Sequence, residues 1–215
     1  SLNSKGYGTE RIEDELNNLF PEARVMRMDL DTTRSRTSYE SIVKGFQRGE
    51  ADIVIGTQMV VKGLDFRRVS VVGILNASTM LKQPDFRSYE RAFQMMEQVA
   101  GRAGRKGQQG RVIVQTSQPD HPVITQLLNH DYKTMFNSQL VERHDFNYPP
   151  YTRLIYVYIK GRNEDCVQRA SMWYADLLRQ SFGARVLGPD RPVVSRVQSM
   201  YIRKIVLKLE NNSSP

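Results

Sequence analysis

The sequence predicts an α/β chain, a parallel sheet with flanking helices, followed by a small α+β domain. Three observations carry this. Over the first half, short apolar runs such as Ile53-Val54-Ile55 and Val69-Ser70-Val71-Val72-Gly73-Ile74-Leu75 alternate with stretches whose apolar residues recur at helical spacing. Ser117-Gln118-Pro119-Asp120-His121-Pro122 then forms a turn-rich joint. Beyond it, Tyr201-Ile202-Arg203-Lys204-Ile205-Val206-Leu207-Lys208 alternates with the period of a strand.

The elements follow in order. Thr9 is placed as the N-cap of a helix carrying Ile12, Leu16, Leu19 and Phe20 on one face, with Glu10 and Glu13 in its first turns and Pro21 ending it. Residues 23–28 alternate as a strand, and Asp29-Leu30-Asp31-Thr32-Thr33-Arg34 is a polar loop whose acids suit capping better than metal binding. Tyr39, Ile42, Val43 and Phe46 mark a second helix, which Gly49 ends. The two apolar runs are the next strands, residues 76–86 an irregular connection, 86–100 a helix and 110–116 a closing strand. Helical patterns then run over 123–128 and 132–144, and His121, His130 and His144 lack ligand spacing and belong to loops or surface. In the last part, Leu154–Ile159 reads as a strand, and 166–178 as a helix with Ala170, Trp173, Leu177 and Leu178 inward. The expected boundaries are 1–118 for the first domain, 119–148 for a helical connector and 149–215 for a basic α+β domain.

Composition sets limits. The single Cys166 excludes an internal disulfide, and no apolar run is long enough for a membrane span, which fits a reducing, cytoplasmic setting with no membrane partner. The net charge of +8 is uneven: residues 149–215 hold 11 Lys+Arg against 5 Asp+Glu, an excess of six. A polyanion is the natural partner for that third. There Arg203 and Lys208, with Arg191 and Arg196 nearby, are expected to line a phosphate-contacting face. Tyr156 and Tyr158 are either base-stacking platforms or ordinary strand residues.

The chemistry is concentrated in Gln98-Val99-Ala100-Gly101-Arg102-Ala103-Gly104-Arg105. On a helix ending in the loop Lys106–Gly110, Arg102 and Arg105 share one side. Guanidinium groups stay charged, fork onto phosphate oxygens and stabilise the charge that builds when a phosphoryl group leaves. An isolated arginine pair would more simply be a basic helix end meeting solvent. A second stretch, Asp52-Ile53-Val54-Ile55-Gly56-Thr57-Gln58-Met59-Val60-Val61-Lys62-Gly63-Leu64-Asp65-Phe66, changes the balance, because an apolar strand feeds a polar loop where open α/β sheets place ligands.

The two stretches resemble motif VI and motifs V and Va of superfamily 2 helicases, and the span up to Thr116 resembles the second RecA-like lobe of such an enzyme. With Gly-Tyr-Gly-Thr-Glu-Arg-Ile-Glu-Asp-Glu-Leu from Gly6, Arg-Met-Asp-Leu-Asp-Thr-Thr from Arg27, Pro-Asp-Phe-Arg-Ser-Tyr-Glu-Arg from Pro84, Pro149-Pro150-Tyr151 and Val186-Leu187-Gly188-Pro189, nearly the whole chain is similar to the PriA family, the bacterial primosomal protein N′ or replication-restart helicases. The Asp85-Phe86-Arg87-Ser88 stretch with Glu90-Arg91 is what separates this family from generic helicases.

The resemblance implies ATP-driven, 3′-to-5′ unwinding at stalled forks, followed by loading of primosome proteins. It implies forked, single-stranded and duplex DNA as substrates, single-strand-binding protein as a partner, a monomer, and a nucleoid-associated place in the bacterial cytoplasm. By the same resemblance Arg102 and Arg105 reach the γ-phosphate, Gln98 orients that site, Gly63 and Asp65 lie near the ribose, and Thr57 and Gln58 couple nucleotide to DNA, while Lys62 faces one or the other. No Gly-x-x-x-x-Gly-Lys-[Ser/Thr] and no Asp-Glu-x-His occurs, so the phosphate cradle and the Mg ligand are expected in a first lobe outside this sequence. The family's zinc-binding, cysteine-rich segment is likewise absent. The chain is thus expected to be a C-terminal piece, with Glu210 to Pro215 a cut rather than a natural end, that alone neither hydrolyses ATP nor unwinds DNA. Two other classes share some of these features: a superfamily 2 translocase lobe, and a nucleic-acid-binding module without catalysis.

Overall fold

The computed structural model describes residues 8–29, 36–57, 69–104 and 110–211. The chain divides into two compact units, Ser1–Leu81 with Arg91–His130, and Lys82–Glu90 with Asp131–Pro215.

In the first unit the described elements are α1 (Thr9–Leu19), β1 (Val25–Met28), α2 (Arg36–Arg48), β2 (Ile53–Gly56), β3 (Val71–Ile74), α3 (Ala77–Leu81), most of α4 (Ser88–Ala100), β4 (Arg111–Val114) and α5 (Pro122–Leu128). β1 pairs parallel with β2, Val25 opposite Ile53, and β3 pairs parallel with β4, Val71 opposite Arg111. Parallel pairing between helices is what the alternating pattern called for. Met28, fully buried, is packed by Tyr39, Ile42, Val43 and Phe46 of α2 and by Val54 and Val69, so the apolar stripe of α2 is the one the spacing predicts. Residues 77–81, expected to be irregular, form α3, with Ala77, Ser78 and Leu81 buried.

One local assignment changes. Thr9 is the first residue of α1 and not its cap: Gly8 holds the N-cap position, and the Thr9 hydroxyl donates to Asp29 Oδ2 at 2.6 Å. Asp29, 8% exposed, also meets Arg27 Nε at 3.0 Å, and Arg27 lies within 3.4 Å of Glu10 and Glu13. The Asp29 carboxylate therefore fastens β1 to α1. His121 caps α5, its Nδ1 accepting from the Val123 N–H at 3.2 Å with Pro122 beginning the helix.

The second unit contains α6 (Tyr132–Asp145), β5 (Thr152–Gly161), α7 (Glu164–Phe182), β6 (Val186–Asp190), β7 (Arg196–Val197) and β8 (Met200–Glu210). The strands form an antiparallel sheet of order β5-β8-β6, with β7 also pairing with β8. Tyr158 faces Lys204 and Val157 faces Ile205, so odd and even positions go to opposite faces. One face is covered by α7: Ala175, Val186, Ile205 and Leu207 are buried, with Val157, Ile159, Tyr174, Leu178 and Phe182 against them.

Of the α7 residues expected inward, Leu178 packs on the core, while Ala170, Trp173 and Leu177 are exposed. Val167, Ser171 and Ala175 are its buried residues, whereas Trp173 is 67% exposed and Leu177 44%. The helix runs on to Phe182, and over that length the positions of Val167, Ser171, Tyr174, Ala175, Leu178 and Phe182 make a longer stripe. Ser171 and Ala175, both fully buried, are small enough for the helix to lie close on the sheet, which a tryptophan in that stripe would prevent.

Candidate nucleotide site and nucleic-acid face

The arginine stretch begins on α4, which buries Ala92, Phe93 and Met96 and leaves Gln98 exposed. The helix stops at Ala100, so Arg102 sits in the turn after it and not on its side, as the spacing had predicted. Gly101 N–H still donates to Glu97 O at 2.9 Å, but Arg102 N–H donates to Val99 O at 3.0 Å and Ala103 N–H to Ala100 O at 3.1 Å, so the coil tightens. Gly104 then takes φ +73°, a conformation that ends helices and that glycine adopts without strain. The Gly104 N–H donates to Val69 O at 3.1 Å. On the other side of the turn, Gly110 lies so close that a Cβ there would overlap the Ala103 and Gly104 backbone. Arg102 is half-buried in this two-sided anchorage, and its Nε is shielded from solvent.

Thr57 lies exposed just after β2, at the carboxyl end of that strand. Gln58, Lys62, Gly63 and Asp65, and Arg105 on the other stretch, lie outside the described residues. The segment holding the first four leads directly to Val69, the acceptor for Gly104. One backbone hydrogen bond thus ties the arginine turn to Val69, three residues past the second motif and thirty-five residues before Gly104 in sequence.

The family-distinguishing stretch takes part in the second unit. Phe86 stacks on Tyr148 with ring centroids 4.8 Å apart and planes 8° from parallel, and the guanidinium groups of Arg87 and Arg143 lie 4.7 and 5.2 Å from the Phe86 ring. Arg143 pairs with Glu90, and Asp85 Oδ1 accepts the Arg87 N–H at 2.9 Å. Arg143 and Tyr148 lie more than fifty positions beyond the 85–90 stretch, so only the tertiary fold reveals why these residue types are needed.

The four cations expected to contact phosphate divide into two pairs. Arg203 is only 4% exposed: its Nε donates to Gln168 Oε1 at 2.6 Å and its Nη2 to Glu164 Oε1 at 2.8 Å, both on α7. It faces the helix, so the outward role expected of it is corrected to a structural one. Lys208 is half-buried, donates to Phe146 O at 2.6 Å and lies 4.1 Å from the Tyr148 ring centroid. Burial lowers its pKa, and its ammonium serves the internal packing of the unit. Arg191 and Arg196 are exposed. Arg191 reaches Glu164 at 2.9 Å and Arg196 lies 4.8 Å from the Tyr201 ring centroid. Glu164 is held below its usual carboxylate pKa, first by the hydrogen bond from Arg203 and then by the surrounding arginine charges.

The opposite sheet face carries cations that the sequence reading passed over. Lys204 Nζ lies 4.2 Å from the Tyr156 ring centroid, and the Tyr156 and Tyr158 rings are 6.5 Å apart. Tyr156 is 43% and Tyr158 48% exposed. Burial, followed by the Asp85 carboxylate, raises the Tyr156 pKa. Beside them lies an open groove of about 520 Å³ lined in part by Pro84, Tyr158, Lys160, Asp190, Arg191 and Lys204. Strand parity was the signal available for this: Lys204 alternates with Ile205 and Leu207, whereas Arg203 shares their side.

Residues 7–107 match the family model of the helicase conserved C-terminal domain, and residues 144–214 match that of the primosomal protein N C-terminal domain. The replication restart protein PriA of Bacillus subtilis is 40% identical over 210 residues, 97% of this chain and 26% of that protein. The chain belongs to the PriA family. The PriA of Synechocystis is 39% identical over 94% of this chain and 25% of its own length, and that of Haemophilus influenzae 36% identical over 96% and 29%. The chain therefore spans about a quarter of the length of these PriA relatives. Among solved structures, the C-terminal domain of the DEAD-box protein Dbp5 is 18% identical, covering 60% of this chain and 64% of that chain with a TM-score of 0.38. No helix among the described residues is long and apolar enough to cross a membrane.

Proposed function

We propose that this chain is the C-terminal part of an ATP-dependent 3′-to-5′ DNA helicase that restarts replication at stalled forks and assembles the primosome. The observation that carries this is the Gly104–Val69 hydrogen bond, which fastens the arginine turn to the chain three residues past the second helicase motif in a PriA-family chain. In this reading Arg102 and Arg105 meet the γ-phosphate, Gln98 orients it, Gly63 and Asp65 hold the ribose, and Thr57 and Gln58 pass the change to DNA. A turn anchored on both sides holds its arginine in place without reorganisation, which is what electrostatic stabilisation of phosphoryl transfer needs.

ATP with Mg supplies the phosphoryl chemistry when bound. The half-buried Arg102 beside a glycine turn fits one jaw of such a site, whereas no phosphate cradle occurs in the sequence. The chain alone is accordingly inactive. Zinc is different: with one cysteine, and no cluster of three or more His, Cys, Asp or Glu able to hold a metal among the described residues, the residues present do not fit it. DNA is the partner of the basic C-terminal part, and primosome proteins and single-strand-binding protein are partners of the whole enzyme, acting as a monomer in the bacterial cytoplasm.

The test is the DNA-stimulated ATPase rate of the full-length enzyme. Arg105→Ala and Arg102→Ala are each expected to lower it by about a thousandfold with ATP still bound. An unchanged rate in both variants would remove the finger role and leave a nucleic-acid-binding module.

A further inference from the structure

The second unit presents a sheet face that α7 leaves uncovered, and its residues are not those of an ordinary solvated strand surface. Even positions of β8 and the residues opposite them on β5 share this face: Tyr156 with Val206, Tyr158 with Lys204, Lys160 with Ile202. Two tyrosines two residues apart stand there at nearly half exposure. The Lys204 ammonium lies 4.2 Å from the Tyr156 ring centroid, and Lys204 is the strand partner of Tyr158. The groove alongside is lined by Lys160, Lys204 and Arg191, against one carboxylate, Asp190. Arg191 shares Glu164 with the buried Arg203, so a single carboxylate serves two guanidinium groups and the local charge stays positive.

We propose that this open face binds single-stranded DNA, one base stacking on Tyr158 while Lys204, Lys160 and Arg191 meet the adjoining phosphates. The proposal rests on the nucleic-acid role given to the C-terminal part above and names its residues. Exposed aromatic rings next to cations favour a single strand, because an unpaired base offers a π-face that a duplex keeps stacked inside. A groove beside the ring suits a strand bound without sequence preference. The phosphate cations are therefore Lys160, Lys204 and Arg191, and not Arg203 and Lys208, whose side chains are committed to packing.

The experiment uses the 215-residue chain with a fluorescein-labelled oligothymidylate and a duplex of equal length, followed by anisotropy over a salt series. Tyr158→Leu is expected to weaken oligothymidylate binding by about tenfold and leave duplex binding unchanged, whereas Tyr158→Phe and Tyr158→Trp retain it. Lys204→Gln should flatten the salt slope by about one. A 5-iodouracil oligonucleotide should photocrosslink to Tyr158 in the unaltered chain, a readout that needs no variant to fold. Normal binding by Tyr158→Leu, or a crosslink confined to other segments, overturns the face proposal while the polyanion role stands. No binding of either nucleic acid by the unaltered chain, even at low salt, overturns both, and the arginine-finger test above is untouched by either result.

Discussion

The two units place their chemistry by different rules. In the first, the strands are four residues long and parallel, and the residues with chemical character sit in the loops and turns at their ends: Thr57 just after β2, Arg102 in the turn anchored at Val69. In the second, β5 and β8 are 10 and 11 residues long and antiparallel, and the chemistry lies on the strands themselves. A loop motif keeps its residues together whatever the strand register. A strand divides its residues between two faces, and a neighbour one position away can be buried while the next meets solvent. Arg203 and Lys204 show this: the first is 4% exposed under α7, and the second stands over a tyrosine on the far face.

The contrast can be broken or sharpened by experiment, beginning with the largest effect. Loop chemistry should be lost without loss of fold: Arg102→Ala is expected to cut the full-length enzyme's ATPase about a thousandfold while thermal melts stay unchanged. A melt lowered in step with the rate would make Arg102 a structural residue like Arg203. For Arg203 the reverse holds. Arg203→Ala should cost about 3 kcal/mol in urea unfolding, because Glu164 and Gln168 lose the buried group that spans them, whereas Arg196→Ala on the surface should stay within about 0.5 kcal/mol. Equal effects from the two would erase the distinction between the sheet faces.

The orientation of α7 gives a smaller effect. Ala175→Leu is expected to destabilise by about 1–3 kcal/mol through overpacking, and Trp173→Ala by about 0.5 kcal/mol or less, read from the same unfolding curves. A costly Trp173→Ala would mean that the tryptophan is covered in solution. The smallest effect is at the start of the first unit, where a hydrogen bond from the Arg24 side chain, then one from the Arg24 backbone, hold Asp52 at about 2 against an ordinary 3.8. A depressed carboxylate contributes stability above its unfolded value and loses it as the proton returns. Stability should therefore decline between pH 3.8 and about 2, and Arg24→Gln should reduce the part of that decline due to this pair. An identical acid profile in the variant would show that the pair is not formed in solution.

Much of the molecule was readable because its signals are local. The alternation of apolar runs with helical stripes in the first half, the helix stops at Pro21 and Gly49, and the contiguous motifs at Asp52–Phe66 and Gln98–Arg105 all lie within a few residues of what they specify. The stop of α4 at Ala100 was less legible, since a helix through Arg102 and Arg105 has acceptable spacing until Gly104 turns into the left-handed region. For α7, spacing allowed two stripes. The choice between Trp173 and Ala175 depended on how closely the sheet approaches.

Sequence by itself settled most of the element order, the α/β-then-α+β class and the family, because periodicity and motif are properties of neighbours along the chain. Tertiary structure decided that residues 82–90 group with Asp131–Pro215, that Phe86 stacks on Tyr148 while Glu90 pairs with Arg143, and that Arg203 faces inward and Lys204 outward. Those outcomes are set by contacts between residues up to about sixty positions apart. Which partner each charge or ring meets is fixed only when the sheet and its covering helix come together.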